Sequence, residues 1–98
     1  MTEQFSMPRV NFVRSDAGYA VEVVSRTKVR YTESDRTMLI GAEPLLPAGK
    51  LALYISERQK WDPPNDGQRL GSIELARIIE NIRAALNVMG WTLVPDSS

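Results

Sequence analysis

The longest regular pattern of hydrophobic positions in this chain covers Ser72 to Met89. Large apolar residues recur there at steps of three and four residues, the spacing that lines one face of an α-helix. These residues are Leu75, Ile78, Ile79, Ile82, Leu86 and Met89. Ser72 is a favourable N-cap, and Gly90 suits the left-handed residue that ends many helices. The pattern therefore predicts one amphipathic helix that must cover an apolar surface.

Before this helix, hydrophobic and polar residues alternate with the period of two that is typical of half-buried strands. The alternation covers residues 19–24, 26–33, 37–42 and 50–56, and residues 9–14 and 91–94 are predicted as shorter strands. Pro44 and Pro47 lack backbone donors, so we expect residues 43–49 to lie outside the sheet. The predicted fold class is α+β: an antiparallel β-meander of about five to six strands with one C-terminal helix packed on one face.

The 98 residues are enough for a single domain, 1–98, with a core at about residues 9–94. We expect residues 1–8 and 95–98 to be flexible ends. Residues 1–8 have neither a basic nor an apolar segment, so we expect no secretory signal. No apolar run approaches the ~20 residues that cross a bilayer. The expected location is the cytoplasm, with no membrane as a partner.

The chain lacks several of the residue types on which catalytic and ligand-binding sites usually depend. The chain has no Cys and no His, so it lacks thiolate nucleophiles, zinc–thiolate ligands and the commonest general base. It also lacks a glycine-rich phosphate loop. We therefore expect a protein that is not an enzyme and has no cofactor or metal site. The 12 basic and 12 acidic residues cancel, so no net charge attracts nucleic acid or a membrane.

Three cations, Arg26, Lys28 and Arg30, alternate along one predicted strand and point to the same side, about 7 Å apart. They are candidates for contact with an acidic protein surface or with phosphates. The alternative is a solvated strand face whose cations pair with nearby carboxylates. Those carboxylates are Glu22, Asp35 and Glu43.

The most distinctive short segment is Trp61-Asp62-Pro63-Pro64. A tryptophan held by two prolines is typical of a preorganised binding hot spot. The alternative is a tryptophan that closes the core, with Asp62 tying the loop to backbone amides.

Glu33, Asp35 and Glu43 are carboxylates on or beside one predicted hairpin. No histidine, nucleophile or glycine-bearing calcium loop accompanies them, so we interpret them as turn residues rather than a catalytic or metal site. They are also candidates for contact with a basic partner.

Several short segments, taken in order, resemble the bacterial family described as Immunity protein 74. They are residues 29–33, 35–37, 42–45, 53–55, 61–64 and 79–82, within a resemblance that covers about residues 21–93. The most specific pieces are the Trp61-Asp62-Pro63-Pro64 segment and the helix that follows it. The resemblance implies a non-catalytic protein of a polymorphic toxin system, which binds a toxin domain in the cytosol and blocks its active site or substrate path.

The leading hypothesis is therefore an immunity protein, monomeric or homodimeric, that binds and neutralises a cognate bacterial toxin domain. Two surfaces are candidates for the contact with the toxin. One is the basic strand face with Trp61, and the other is the set of carboxylates, which would suit a toxin with a basic cleft. The alternative function is a small nucleic-acid-binding module that uses the basic strand face, with binding that falls steeply as salt rises. Nucleic acid is the less expected partner because the net charge is zero.

Overall fold

A computed structural model describes residues 3–45 and 48–94 of the chain. Seven strands form one sheet in which the spatial order follows the chain order. Neighbouring strands are antiparallel, except that β6 and β7 are parallel because helix α1 connects them. The elements are β1 (Phe5–Arg9), β2 (Phe12–Ser15), β3 (Tyr19–Ser25), β4 (Lys28–Glu33), β5 (Arg36–Leu45), β6 (Lys50–Tyr54), α1 (Ser72–Met89) and β7 (Thr92–Val94). The predicted α+β meander with one helix is confirmed, with slightly more strands than expected.

One face of the sheet forms the hydrophobic core together with α1. The helix packs against β1, β2 and β3 and also against β7, so the sheet curls until both of its edges meet the helix. Alternate strand residues are buried beneath it, as the period of two predicts. The buried strand residues are Val13, Tyr19, Val21, Val29, Tyr31, Met38, Ile40, Ala42, Leu51, Leu53 and Leu93, and those of the helix are Ile78, Ile82, Ala85 and Leu86.

Helix α1 spans the predicted residues and ends as predicted at Gly90, whose φ of 96° is left-handed. The predicted N-cap is wrong, because Gly71 takes that position without a side-chain hydrogen bond. The Gly71 carbonyl already accepts a bond from the N–H of Leu75 at 2.9 Å, so Ser72 lies inside the first turn. Within residues 3–45 and 48–94, no helix combines the length and apolar character needed to cross a membrane.

Strand β1 covers Phe5–Arg9, so residues 5–8 of the expected flexible N-terminal end belong to the sheet. The strand predicted over residues 9–14 is instead divided by a turn at Val10 and Asn11, where Asn11 adopts a φ of 62°. Asparagine tolerates this left-handed conformation better than most residues. The turn folds β1 back onto β2, and Phe5 packs against the edge of the core. The expected flexible residues 95–98 lie outside the described part of the chain.

Strand β5 continues past Pro44, so the expectation that residues 43–45 leave the sheet is wrong. The N–H of Ala42 donates to the Thr27 carbonyl at 2.8 Å, and Pro44 two residues later turns its nitrogen to the same side. Strand β4 begins only at Lys28, opposite Gly41, so among the described residues no strand pairs with β5 on that side of Pro44, and β6 pairs with it on the other side. The missing N–H of Pro44 therefore interrupts no strand pairing. Pro47 is not among the described residues.

Candidate partner-binding face

Helix α1 covers one face of the sheet, and the opposite face, formed by the outward side chains of β1 to β6, is called the open face here. Strand register arranges its residues in rows that run across the strands. The first row is Phe12, Glu22, Arg30 and Leu39, and the second is Lys28, Gly41 and Tyr54. Hydrophobic, basic and acidic side chains therefore alternate within a small area.

Two large hydrophobic side chains are exposed on the neighbouring strands β5 and β6 of the open face. Leu39 is 40% exposed and Tyr54 is 52% exposed. The Tyr54 side chain packs against Gly41, where an added Cβ would lie 3.8 Å from it. The Tyr54 hydroxyl also donates a hydrogen bond to the Glu43 carboxylate. An aromatic ring held in one orientation loses less conformational entropy when it binds a partner.

Leu39 and Tyr54 are not among the contact residues expected from the sequence. The signal was present in the alternation, because Leu39 separates buried Met38 from buried Ile40 and Tyr54 follows buried Leu53. Strand periodicity assigns each side chain to a face of the sheet. It does not tell whether another element covers that face, which only the position of α1 decides.

Of the three candidate cations, the structure places Lys28 and Arg30 on the open face. Arg26 lies in the turn between β3 and β4, so its assignment to the same strand is wrong. Arg30 donates to Glu22 at 3.3 Å, as the alternative of cross-strand pairing predicts. In the described part of the chain, Lys28 forms no ion pair. The basic stripe is therefore two residues long, and one of the two lacks an internal partner.

The three candidate carboxylates do not lie together. Glu33 is on the helix side of the sheet, opposite Tyr19 and Arg36. Asp35 is exposed in the turn between β4 and β5, and Glu43 is exposed on the open face, about 25 Å along β5 from that turn. They form no single acidic surface. Nor do three or more potential metal ligands come together anywhere in residues 3–45 and 48–94.

Glu33 belongs to a network of ion pairs that joins the sheet to α1. Its carboxylate accepts bonds from Arg77 at 3.1 Å, from Arg36 at 2.9 Å and from the Tyr31 hydroxyl at 2.8 Å. Glu74 contacts both arginines, at 3.7 and 3.4 Å. Burial by itself raises the pKa of Glu33, but the bonds from Arg77 and Tyr31 outweigh it and hold that pKa below its ordinary value. The negative charge of Glu33 is therefore paired with arginines of the same chain.

The same network satisfies the buried hydroxyl of Tyr31, which is 0% exposed. This hydroxyl donates to Glu33 and accepts a bond from Asn81 of the helix at 3.0 Å. Burial raises the pKa of Tyr31, and it likewise raises the pKa of Tyr19, whose ring stacks on Tyr31 at 5.9 Å. Both phenols stay neutral at physiological pH, so the charge of the network resides on carboxylates and guanidinium groups.

Protonation of Glu33 is expected to weaken the fold in acid. A carboxyl group whose pKa is lowered by folding stabilises the folded chain above its unfolded pKa of about 4.3. That contribution disappears as the pH falls through the lower folded value. We expect Glu33→Gln to lower the free energy of unfolding by about 1–3 kcal/mol at neutral pH, because it removes a charged hydrogen-bond acceptor. We also expect a flatter pH profile for this variant, measured by urea unfolding from neutral pH to about pH 3.

Glu80→Gln is the matched control for this experiment. Glu80 pairs with Arg83 at 3.2 Å, but its side chain is 68% exposed. Such a surface pair contributes about 0–1 kcal/mol, so the variant should unfold nearly as the wild type does. If Glu33→Gln kept the full acid sensitivity of the wild type, the assignment of that sensitivity to Glu33 would be wrong.

Trp61 is 1% exposed and belongs to the core. The guanidinium carbon of Arg36 lies 4.1 Å from the centre of its ring, and the Tyr31 ring lies 6.2 Å away. The backbone N–H of Asp62 donates to the Thr37 carbonyl at 2.7 Å, so main-chain atoms anchor the loop to β5. The alternative in which Trp61 closes the core is confirmed. An indole this deeply buried offers a partner almost no surface.

The family model described as Immunity protein 74 matches residues 20–94 of the 98. The match covers nearly all of β3, the strands that follow it, the loop with Trp61 and the helix. It confirms the family indicated by the sequence resemblance. No curated protein and no solved structure matches the chain.

Proposed function

This chain belongs to the Immunity protein 74 family, and on that premise we propose that it neutralises a cognate bacterial toxin domain by binding it. The partner is a protein domain made by the same bacterium, and the complex forms in the cytoplasm. Neutralisation comes from occupying the toxin's active site or substrate path, so this protein catalyses no reaction. A protein of this kind needs an accessible surface with a few well-placed anchor residues.

The open face is the surface we propose for the toxin. One observation carries this choice: Leu39 and Tyr54 are exposed as diagonal neighbours on the sheet face that α1 leaves uncovered. Aromatic and aliphatic groups at the centre, with polar and charged groups around them, are typical of protein interfaces. Lys28 and Arg30 flank the two hydrophobic side chains and supply this charged surrounding.

The carboxylates support this role less well than the basic open face does. The side chain of Glu33 is only 14% exposed and is already paired with Arg36 and Arg77. Asp35 and Glu43 lie at opposite ends of β5. Contact with a basic toxin cleft needs several carboxylates within one area, and these three are dispersed.

Co-expression tests this function. The C-terminal domain encoded by the gene immediately upstream is expressed alone and together with this protein, and growth of the bacterial culture is measured. We expect the domain to be toxic and the wild-type protein to restore growth. Leu39→Asp should weaken the complex by about 30-fold or more, because a charge at an interface centre costs about 2 kcal/mol or more.

Ile73→Asp is the matched control, since it also replaces an aliphatic side chain with aspartate, at a residue that is 85% exposed on the helix. This variant should protect cells as the wild type does. If the wild type fails to restore growth, the proposed function is overturned. If Leu39→Asp protects as well as Ile73→Asp, the open face is not the contact surface.

A further inference from the structure

The charges of this chain are segregated, although its net charge is zero. On the open face, five cations share the surface with only two carboxylates, Glu22 and Glu43. The cations are Arg9, Arg14, Lys28, Arg30 and Lys50. Because the whole chain is neutral, the remainder of the molecule carries the compensating negative excess. The net charge of the sequence hides this arrangement.

Ion pairs within the open face neutralise only part of its positive charge. Glu22 binds two guanidinium groups, those of Arg9 at 3.0 Å and Arg30 at 3.3 Å. In the described part of the chain, Lys28 and Lys50 form no ion pair. On the helix side of the sheet the situation differs, because two carboxylates and two arginines compensate one another in the network around Glu33. Lys28 and Lys50 therefore leave positive charge on the open face that a partner can reach.

We propose that the open face recognises an acidic surface on the toxin domain, an inference that rests on the proposed function. Leu39 and Tyr54 supply the apolar contact, and Lys28 and Lys50 meet carboxylates on the partner. Complementary charge of this kind accelerates association and selects against neutral or basic surfaces. The contact surface of the toxin domain is therefore an acidic cleft or an acidic rim. It is not the basic cleft that a group of carboxylates on this protein would fit.

A protein partner fits the face better than a nucleic acid does. Phe12 does not offer a bare ring for base stacking, because the guanidinium carbons of Arg9 and Arg14 lie 4.3 and 5.4 Å from its ring centre. Glu22 places a carboxylate within the basic area, where a phosphate chain would be repelled. Single-stranded nucleic acids favour several stacking aromatics along a basic groove. Here Tyr54 is the exposed aromatic side chain of the described open face.

Charge reversal tests the inference. Lys28→Glu/Lys50→Glu changes the open face, and Arg58→Glu/Lys60→Glu makes the same change of net charge in the loop that precedes α1. Association of each variant with a catalytically inactive toxin domain is followed by stopped-flow fluorescence at low and physiological salt. We expect the wild-type association rate to fall as salt rises, the open-face variant to associate about tenfold more slowly, and the loop variant to change by less than about threefold.

The outcomes separate this inference from the proposed function. If the wild type binds the toxin but the two double variants associate equally fast, the acidic partner surface is overturned while the immunity function stands. If the wild type does not bind the toxin, a 20-nucleotide single-stranded DNA and an RNA of the same length are titrated as probes. Binding of either probe that weakens with salt would overturn both proposals in favour of a phosphate-binding face.

Discussion

Ile82→Asp should unfold the domain under conditions in which the wild-type chain is folded. Ile82 is 0% exposed at the middle of α1, where it contacts the sheet. The substitution removes about 1.5–3 kcal/mol of apolar burial and forces an unpaired carboxyl group into the core at a further cost of several kcal/mol. A domain of this kind has about 5–15 kcal/mol of total stability, so little or none remains. Circular dichroism and urea unfolding measure the effect.

Ile73→Asp provides the control for Ile82→Asp because it makes the same substitution on the same helix. Ile73 is 85% exposed in the first turn, where a negative charge interacts favourably with the helix dipole. We expect its unfolding free energy to stay within about 0.5 kcal/mol of the wild type. A soluble Ile82→Asp variant with a wild-type urea midpoint would contradict the position of α1 on the sheet.

Trp61→Ala should lower the free energy of unfolding by about 3–5 kcal/mol, because it leaves a cavity where a large buried ring was. It also removes the surface on which the Arg36 guanidinium stacks and the contact with Tyr31. Trp61→Phe should lower the free energy of unfolding much less, since it keeps an aromatic ring at this position. The indole N–H has no hydrogen-bond partner among the described residues, so phenylalanine gives up no hydrogen bond there.

Urea unfolding of both variants, followed by circular dichroism, separates a structural Trp61 from a binding one. The structural role predicts that stability falls in the order wild type, Trp61→Phe, Trp61→Ala. It also predicts that Trp61→Phe still neutralises the toxin. A Trp61→Ala variant with unchanged stability but no toxin binding would instead place the indole in the interface.

The sequence predicted the helix and its C-terminal end because the relevant information is local. Apolar residues recur at helical spacing from Leu75 to Met89, and Gly90 supplies the one residue type that adopts a left-handed φ without strain. The N-cap was missed because Gly71 and Ser72 are both acceptable there by composition. Which of the two residues becomes the N-cap depends on the direction from which the preceding loop enters the helix, and tertiary structure sets that direction.

Two errors in the strands have the same origin. Pro44 excludes a central strand only if another strand needs its N–H, and here β4 starts too late to need it. Strand β1 has an irregular pattern, with most of its residues exposed, and it forms because the turn at Asn11 returns the chain onto β2. Both depend on which strands are neighbours, and period-two patterns do not contain that information.

The candidate surface was predictable in part. Alternation correctly placed Lys28 and Arg30 on one side, whereas Arg26 fell into a tight turn that the alternation does not reveal. For Trp61 and Glu33, residue type could not decide between a surface and a structural role. The structure decides it through burial of the indole and through the pairing of Glu33 with two arginines.

The most direct test of the central claim is calorimetric titration of the purified protein into a catalytically inactive form of the upstream-encoded toxin domain. We expect a complex of one protein per toxin domain, with a dissociation constant of about nanomolar order for an interface with buried anchors. We also expect Leu39→Asp to lose most of that affinity and Ile73→Asp to keep it. No binding by the wild type, or equal binding by both variants, would contradict the claim that the open face captures a toxin.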